Sequence, residues 1–308
     1  MRPSSGLRAG LLALAALIWG TAFVAQSMGM DYLGPCAFNA ARSFVGSIAL
    51  APVIFAGDRL RKKSGGAQEL AAYSWKNPAL LAGGLLCGLF LSAASLLQQA
   101  GLQHTTAGKA GFLTSLYIVL VPVLGLFLGR RGGWKLWLAV GLALAGAYFL
   151  SVSGGENQWA IGLGDGMVLV SAVFFSFHIL VIDFFSPKVD CIKLSCLQFL
   201  VAGLVSSVLA GALEGGSFQW GDLLASWGPL LYTGVMSSGV AYTLQIVGQR
   251  GLNPAAASLI MSLESVFAAL SGWLVLGQPL TLRELAGCGL VFGGVVLAQL
   301  PERKKRSA

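Results

Sequence analysis

This chain of 308 residues has few charged residues, since only 10% are Asp, Glu, Lys or Arg. Soluble globular proteins carry about 25% because their surfaces face water. Hydrophobic residues make up 56% and the mean hydropathy is +0.77. These values exclude a soluble enzyme and a disordered chain. Ten helices of roughly 20 residues would use about 200 residues, which also excludes a single-pass anchor and indicates a polytopic membrane protein.

Metal-binding and redox residues are also scarce, with five cysteines and two histidines. No two cysteines have the C-x-x-C spacing of a zinc site, and all five lie in or beside apolar runs. We therefore predict no metal, no cofactor and no disulfide. The cysteines are interpreted as small packing residues in helices.

Proline, glycine and charge clusters divide the sequence into ten apolar stretches. These cover residues 7–28, 35–55, 78–101, 107–128, 133–151, 163–184, 191–213, 227–248, 254–276 and 282–300. Arg2 and Arg8 give the first stretch the look of a signal peptide. However, its apolar core of about 20 residues is too long for one, and no clear small-residue cleavage site follows. The prediction is an all-α membrane protein with ten transmembrane helices.

The basic residues give the chain an orientation. If the N-terminus is cytoplasmic and all ten stretches cross the bilayer, 17 of the 20 lysines and arginines lie on the inner side. Lys109 and Arg283 lie outside, and Arg42 falls within a helix. The positive-inside rule then predicts that both termini lie in the cytoplasm. We expect the membrane to be the plasma membrane, a bacterial inner membrane. Topology thus explains the net charge of +8 without a nucleic-acid partner. The basic tail at 302–306 is a stop-transfer flank or contacts anionic lipids.

An internal repeat divides the chain into two predicted halves, residues 1–152 with helices 1–5 and residues 153–308 with helices 6–10 and the tail. The halves align with an offset of 156 residues at their start and 148 at their end. Aligned pairs are Trp19 with Phe175, Arg42 with Gln198, Gly141 with Gly289 and Gly146 with Gly294. Since five is odd, the second half enters the bilayer from the opposite side. Inverted repeats are typical of secondary transporters, whose sites lie between the halves near the midplane.

Short motifs in four helices resemble one family of membrane proteins. They are Ile18-Trp19-Gly20, Ala40-Ala41-Arg42, Leu120-Val121-Pro122-Val123-Leu124 and Leu263-Glu264-Ser265-Val266-Phe267. With them the chain is similar to the ten-helix EamA-type transporters of the drug/metabolite transporter superfamily over residues 7–300. Two features depart from the family's pattern. Arg130 and Gln278 stand where a glutamate commonly closes helices 4 and 9, and Ser265 stands where a proline often follows the helix 9 glutamate.

The resemblance implies a secondary active or facilitative transporter that works by alternating access and exports small metabolites such as amino acids. Import of a vitamin or another nutrient, or export of amphipathic drugs, is the alternative. The partners are then a small-molecule solute and the lipid bilayer, with protons as a candidate coupling ion. The sequence leaves the solute, the direction of flux and the oligomeric state open.

Two charged side chains lie inside predicted helices, where an unpaired charge is costly. Glu264 lies roughly 15 Å into helix 9, near the midplane. It is a proton-coupling carboxylate, a counter-ion for a substrate amine, a partner for Arg42, or a protonated residue that only joins helices. Arg42 lies roughly 10 Å into helix 2. Its guanidinium binds a carboxylate or phosphate of the solute, caps backbone carbonyls or extends outward to the interface.

Polar and aromatic residues recur at helical spacing along the other helices. The remaining candidates for solute binding or coupling are Trp19, Gln26, Asn39, Ser95, Gln99, Tyr117, His178, Gln198, Tyr242 and Gln245. For any one of them, a hydrogen bond between helices is the simpler explanation. Together they predict a cavity of amides, hydroxyls and aromatic rings. Such a cavity suits a small amphipathic organic solute better than a bare ion or a nucleotide.

An enzyme and a channel are the competing classes. Gly162-Leu163-Gly164-Asp165 matches the G-x-G-D string of aspartyl intramembrane proteases, whose chemistry needs a second carboxylate, typically in a Tyr-Asp pair. The sequence contains no Tyr-Asp dipeptide and no His-Glu-x-x-His. Nor does a ring of like charges or a carbonyl-filter motif indicate a channel. We therefore predict a transporter, with an intramembrane enzyme as a distant alternative.

Overall fold

A computed structural model describes residues 5–64, 74–105, 107–130, 132–151, 162–215, 220–276 and 280–300. Within these residues the chain is helical and has no strand. Seven of its long helices are continuous: α1 Ser5–Gly29, α2 Pro35–Ser64, α3 Pro78–Leu102, α5 Trp134–Ser151, α6 Leu163–Phe185, α7 Cys191–Leu213 and α10 Leu282–Gln299.

Three further long helices are interrupted. They are α4 (Ala107–Ser115 and Tyr117–Phe127), α8 (Trp227–Leu231, a π-helical stretch Tyr232–Ala241 and Tyr242–Gln249) and α9 (Pro254–Met261 and Leu263–Leu276). A short helix, Trp220–Ala225, precedes α8.

Eight of these ten helices have the length and hydropathy of membrane spans, and α5 is a shorter apolar helix. The tenth, α10, carries Arg283 and Glu284 near its start. The prediction of an all-α, multi-pass membrane protein is confirmed. Helix α2 is longer than its apolar stretch and ends at Ser64 rather than at residue 55, because its polar end continues the helical hydrogen bonding.

Polar residues in the loops determine where several helices begin. Asn77 and Asn253 each precede a proline at the first helical position, and each side-chain oxygen accepts from the backbone N–H two residues on, at 2.9 Å. Asp190 caps α7 by accepting from the backbone N–H groups of Ile192 and Lys193 at 2.8 and 2.9 Å. These caps satisfy N–H groups that the first helical turn leaves without a partner.

The interruptions of α4 and α9, at Leu116 and Ser262, lie within about two residues of corresponding places in the repeat. Helix α4 contains Pro122, which lacks an N–H and removes one bond from the helical ladder. Helix α9 is interrupted as well, although its only proline, Pro254, is at its first position. A proline therefore does not by itself explain the break. In both helices the second segment begins next to a polar side chain of the site described below.

Helix pairing follows the predicted relation between the halves. Helix α1 packs on α8 and α9, and the corresponding helix α6 packs on α3 and α4. Two helices pack on their own counterparts, α2 on α7 and α5 on α10. This pattern supports a division into two five-helix halves. The boundary between residues 152 and 153 lies outside the described residues, as do Gln278 and the basic tail, so the division stays a prediction.

Glycines aligned by the repeat behave alike at the contact of α5 with α10. A Cβ atom built on Gly146 would lie 2.5 Å from the carbonyl oxygen of Gly287, and one on Gly294 would lie 2.7 Å from the carbonyl oxygen of Ala139. By contrast, a Cβ atom on Gly141 or Gly289 would meet nothing within 4 Å. The first pair is glycine because two backbones approach closely there.

Candidate functional site

A cavity lies at the centre of the bundle. Seven helices of the two predicted halves contribute to its wall. The lining residues are Trp19, Phe23 and Gln26 of α1, Arg42 of α2, Gln98 of α3, Thr114 and Tyr117 of α4, Phe175, His178 and Ile179 of α6, Ser237, Tyr242 and Gln245 of α8, and Met261 and Glu264 of α9. Because these side chains come from distant parts of the sequence, only the folded bundle forms the site.

Glu264 and Tyr117 form one polar contact of the cavity. The Tyr117 hydroxyl donates to Oε1 of Glu264 at 2.9 Å, and both residues are buried. Each lies just after a break in its helix, at Leu116 and at Ser262. Oε2 of Glu264 has no hydrogen-bond partner among the described residues and is open to a ligand.

Arg42 is held by neutral groups. Its Nε donates to Oδ1 of Asn39 at 2.9 Å and its Nη1 donates to Oε1 of Gln26 at 3.0 Å. Asn39 in turn donates to Oγ of Ser206 on α7 at 2.8 Å. Within the described part of the chain, no ion pair includes Arg42 or Glu264. A direct salt bridge between them, one of the alternatives raised by the sequence, is therefore not formed.

Aromatic rings surround Tyr242 on the α8 side of the cavity. Trp19 meets it edge-on with ring centroids 4.8 Å apart, Phe199 lies at 5.2 Å and the His178 ring at 5.9 Å. His178 Nε2 lies 3.0 Å from Oε1 of Gln198. These contacts fix the orientation of three cavity side chains without placing a charge there.

Several buried polar atoms of the lining have no protein partner. In the described residues these include Nε1 of Trp19, Nδ1 of His178 and Oε1 of Gln245. A buried donor or acceptor without a partner costs about 1–3 kcal/mol. Unpaired polar atoms in residues of the wall make the cavity a candidate binding site rather than a packing defect.

The predicted site residues fall into two groups. Eight of them line the cavity together: Trp19, Gln26, Arg42, Tyr117, His178, Tyr242, Gln245 and Glu264. Four lie outside the lining. Asn39 and Gln198 support lining residues through hydrogen bonds, Ser95 donates to the carbonyl of Leu91 at 2.5 Å, and Gln99 is fully buried without a partner for its amide. Their role in binding or coupling stays a prediction.

Sequence reasoning also missed some lining residues, among them Gln98, Thr114 and Ser237. Gln98 donates to Oγ1 of Thr114 at 2.9 Å, which joins α3 to α4. The predicted stripe on α3 contained Ser95 and Gln99, and Gln98 lies about 100° away from Gln99 around the helix. The rest of α3 is apolar on every side, so its sequence does not show which of the two glutamines faces the cavity.

The G-x-G-D string lies away from the central cavity. Asp165 is at the start of α6, where its carboxylate accepts from the backbone N–H of Gly162 at 3.0 Å and from Nζ of Lys109 at 2.5 Å. At the other end of the same two helices, Arg130 of the α4 end pairs with Asp183 of α6 at 2.5 Å. Asp165 thus joins helices and caps α6.

Comparisons with known proteins agree with this architecture. A family model described as the EamA-like transporter family matches residues 7–152 and 162–300. An uncharacterized transporter from Archaeoglobus fulgidus is 30% identical over 290 residues, which cover 94% of this chain and 84% of the relative. A probable terminal-alkyne amino-acid exporter from Streptantibioticus cattleyicolor is 24% identical over 288 residues, 93% of this chain and 91% of the relative. A crystal structure of a protein with 16% identity has the same fold, with a TM-score of 0.76 over 96% of this chain and 97% of that one.

Proposed function

This chain belongs to the EamA-like transporter family, and we propose that it is a secondary transporter that exports amino acids or related small metabolites by alternating access. The observation that carries the proposal is the central cavity, where one guanidinium and one carboxyl group line the same buried space. A zwitterionic amino acid has a carboxylate to match the first and an ammonium to match the second. The relative described as an amino-acid exporter supports this substrate class.

Arg42 is the proposed carboxylate site. Two of its nitrogens are held by Gln26 and Asn39, and Nη2 has no hydrogen bond to the described residues. The guanidinium is therefore oriented before a solute arrives, and a carboxylate replaces no existing ion pair. Charge-assisted hydrogen bonds are about twice as strong as neutral ones, so this contact would give much of the selectivity for acids.

Glu264 is the proposed coupling residue. When its carboxyl group carries a proton, the Tyr117 hydroxyl is its only hydrogen-bond partner among the described residues. An ammonium group that arrives at Glu264 favours the carboxylate and releases the proton. Solute and proton would then occupy Glu264 in turn, which couples export to the inward flow of protons.

Alternating access requires the two halves to part at one end at a time. Helices α4 and α6 belong to different halves and are joined at both ends, by Lys109 with Asp165 and by Arg130 with Asp183. Opening either end along this contact would separate an ion pair that is partly exposed. Such a pair contributes about 0–1 kcal/mol, so it stabilises the closed end without locking it.

We further propose that the protein lies in the plasma membrane, a bacterial inner membrane, with both termini in the cytoplasm. The distribution of lysine and arginine between the loops supports this orientation. In it the Arg130–Asp183 pair lies at the cytoplasmic end of the cavity and the Lys109–Asp165 pair at the outer end.

The test is uptake of labelled amino acids by proteoliposomes with and without a pH gradient. We expect uptake to respond to the gradient, and Glu264→Gln to abolish this response. Glu284→Gln is the matched control, since Glu284 caps α10 outside the cavity and glutamine also serves in a capping box. A gradient response that persists in Glu264→Gln would contradict the coupling role.

Arg42 is tested with the same vesicles. Arg42→Lys should weaken uptake of an amino acid more than uptake of its amide, which has no carboxylate. Equal weakening of both would assign Arg42 to structure instead. If wild-type vesicles take up no amino acid at all, the substrate class is wrong.

A second candidate function is export of amphipathic drug-like cations. The aromatic lining supports it, because Trp19, Tyr242, Phe23 and Phe175 offer ring faces to a cation. Uptake of a quaternary ammonium compound that is stronger than uptake of any amino acid would favour this function. The guanidinium of Arg42 in the same cavity argues for an acid.

A further inference from the structure

The contact between His178 and Gln198 determines which ring nitrogen of His178 carries a proton. Both residues are fully buried, and Nε2 of the ring lies 3.0 Å from Oε1 of Gln198. With the Gln198 amide oriented so that its oxygen faces the ring, Nε2 carries the hydrogen, because an amide oxygen only accepts hydrogen bonds. In the neutral ring Nδ1 then holds a lone pair and is an acceptor.

That acceptor has no partner in the described protein. Nδ1 of His178 is buried without a hydrogen bond, as is Oε1 of Gln245, and both residues line the cavity. Two residues of the cavity wall therefore hold unpaired acceptors, in addition to the carboxyl group of Glu264. The chemical complement of several acceptors is one group with several N–H donors.

We infer that the cavity selects a primary ammonium group, with His178 Nδ1 and Oε1 of Gln245 each accepting one of its N–H bonds. This inference rests on the proposed function and deepens it, because it distinguishes primary amines from N-methylated ones. A trimethylated nitrogen has the same charge but no N–H, and it would leave both acceptors unpaired. Gln198 does not line the cavity and acts as a positioning residue for His178.

The surroundings of Gln198 keep it in place. It lies on α7, where that helix packs so closely on α3 that a Cβ atom on Gly88 would lie 2.9 Å from the backbone oxygen of Gln198. On the other side, the His178 ring packs edge-on against Tyr242 at an angle of 71°. With both partners held by backbone and ring contacts, the acceptor is oriented before the solute binds.

The tautomer is tested without any transport assay. The chain contains two histidines, so protein labelled with 15N-histidine gives ring signals from two residues only, and loss of one set in His178→Phe assigns them. We expect wild-type His178 to be protonated at Nε2. Gln198→Met, which removes the acceptor, should shift His178 towards a mixture of tautomers. Protonation of wild-type His178 at Nδ1 would overturn the inference.

Selectivity is tested with a primary amino acid and its N-trimethyl derivative in proteoliposomes. Gln198→Met should raise the KM for the primary amine about tenfold, equivalent to about 1.4 kcal/mol. The KM for the trimethyl compound should stay unchanged. An equal rise in KM for both compounds would overturn the positioning role of Gln198 but not the proposed function. Absence of uptake of either compound by wild type would instead overturn the proposed function.

Discussion

Two interfaces join helices that correspond between the proposed halves of this transporter, α2 with α7 and α5 with α10, and they are built from opposite chemistry. The first contains several polar contacts, including contacts at both of its ends. Glu214, just after α7, accepts from the backbone N–H groups of Cys36 and Ala37 at 2.7 and 3.0 Å, and Lys193 pairs with Asp58 at 2.8 Å. Arg61 pairs with Asp190 at the same end as Lys193.

The second interface, between α5 and α10, depends on the absence of side chains. Gly146 and Gly287 face each other so closely that a Cβ atom on either would lie 2.5–2.7 Å from the other's carbonyl oxygen. The comparison shows that a helix can pack on its counterpart in the other proposed half in two ways, through polar contacts or through closely approaching glycines. A polar interface specifies its partner through matched groups, whereas a glycine interface specifies it through the fit of two backbones.

The largest expected effect comes from the glycine interface. Gly146→Ala should lower the free energy of unfolding by about 3 kcal/mol, because its methyl group would overlap backbone atoms that cannot rotate away. Gly141→Ala on the same helix is the control. It meets open space and should be neutral or stabilise by about 1 kcal/mol through helix propensity. Denaturation in mixed micelles measures both, and equal effects would contradict the close approach.

The polar interface should respond less strongly. Asp190→Ala removes the capping oxygen of α7 and the partner of Arg61, so we expect a loss of about 2 kcal/mol. Asp190→Asn keeps the capping oxygen and should lose about half as much. The ion-pair part should shrink as salt is added because Arg61 is partly exposed, while the effect of Gly146→Ala should not change with salt. A salt-independent loss in Asp190→Ala would assign the whole effect to the cap.

The smallest effect is expected inside the bilayer. Asn39→Ala removes the hydrogen bond to Ser206 between α2 and α7, and bonds of this kind in membranes contribute about 0.6 kcal/mol on average. A double-mutant cycle with Ser206→Ala isolates this contact. Since Asn39 also holds Arg42, a larger coupling energy would mean that the pair supports the guanidinium as well as the interface.

Hydropathy and loop charge were enough to predict ten helices, because apolar length is a property of each segment alone. The interruptions at Leu116 and Ser262 and the π-helical stretch at Tyr232–Ala241 were not predicted. Irregular backbone of this kind depends on hydrogen-bond partners and packing contacts from neighbouring helices, which the sequence of one segment does not reveal. Likewise, α2 was predicted to end at its last apolar residues, although helical hydrogen bonding continues in the polar segment to Ser64.

The site was predictable where a residue type is costly in lipid. Arg42 and Glu264 were predicted as site residues because they are charged and lie deep in apolar helices, and both line the cavity. Gln98 and Gln99 differ only in which side of α3 they occupy, and no sequence feature of an apolar helix distinguishes these sides. The supporting position of Gln198 also depends on contacts between distant helices.

The way Arg42 is held bears on how the chain enters the membrane during synthesis. An arginine deep in a helix raises the free energy of insertion by about 3 kcal/mol on translocon scales. Both side chains that bind this guanidinium, Gln26 and Asn39, precede it in the sequence. The hairpin of α1 and α2 therefore contains both side chains that form hydrogen bonds with this guanidinium. Helix α2 can be inserted as soon as α1 is in place, without waiting for the second half to be translated.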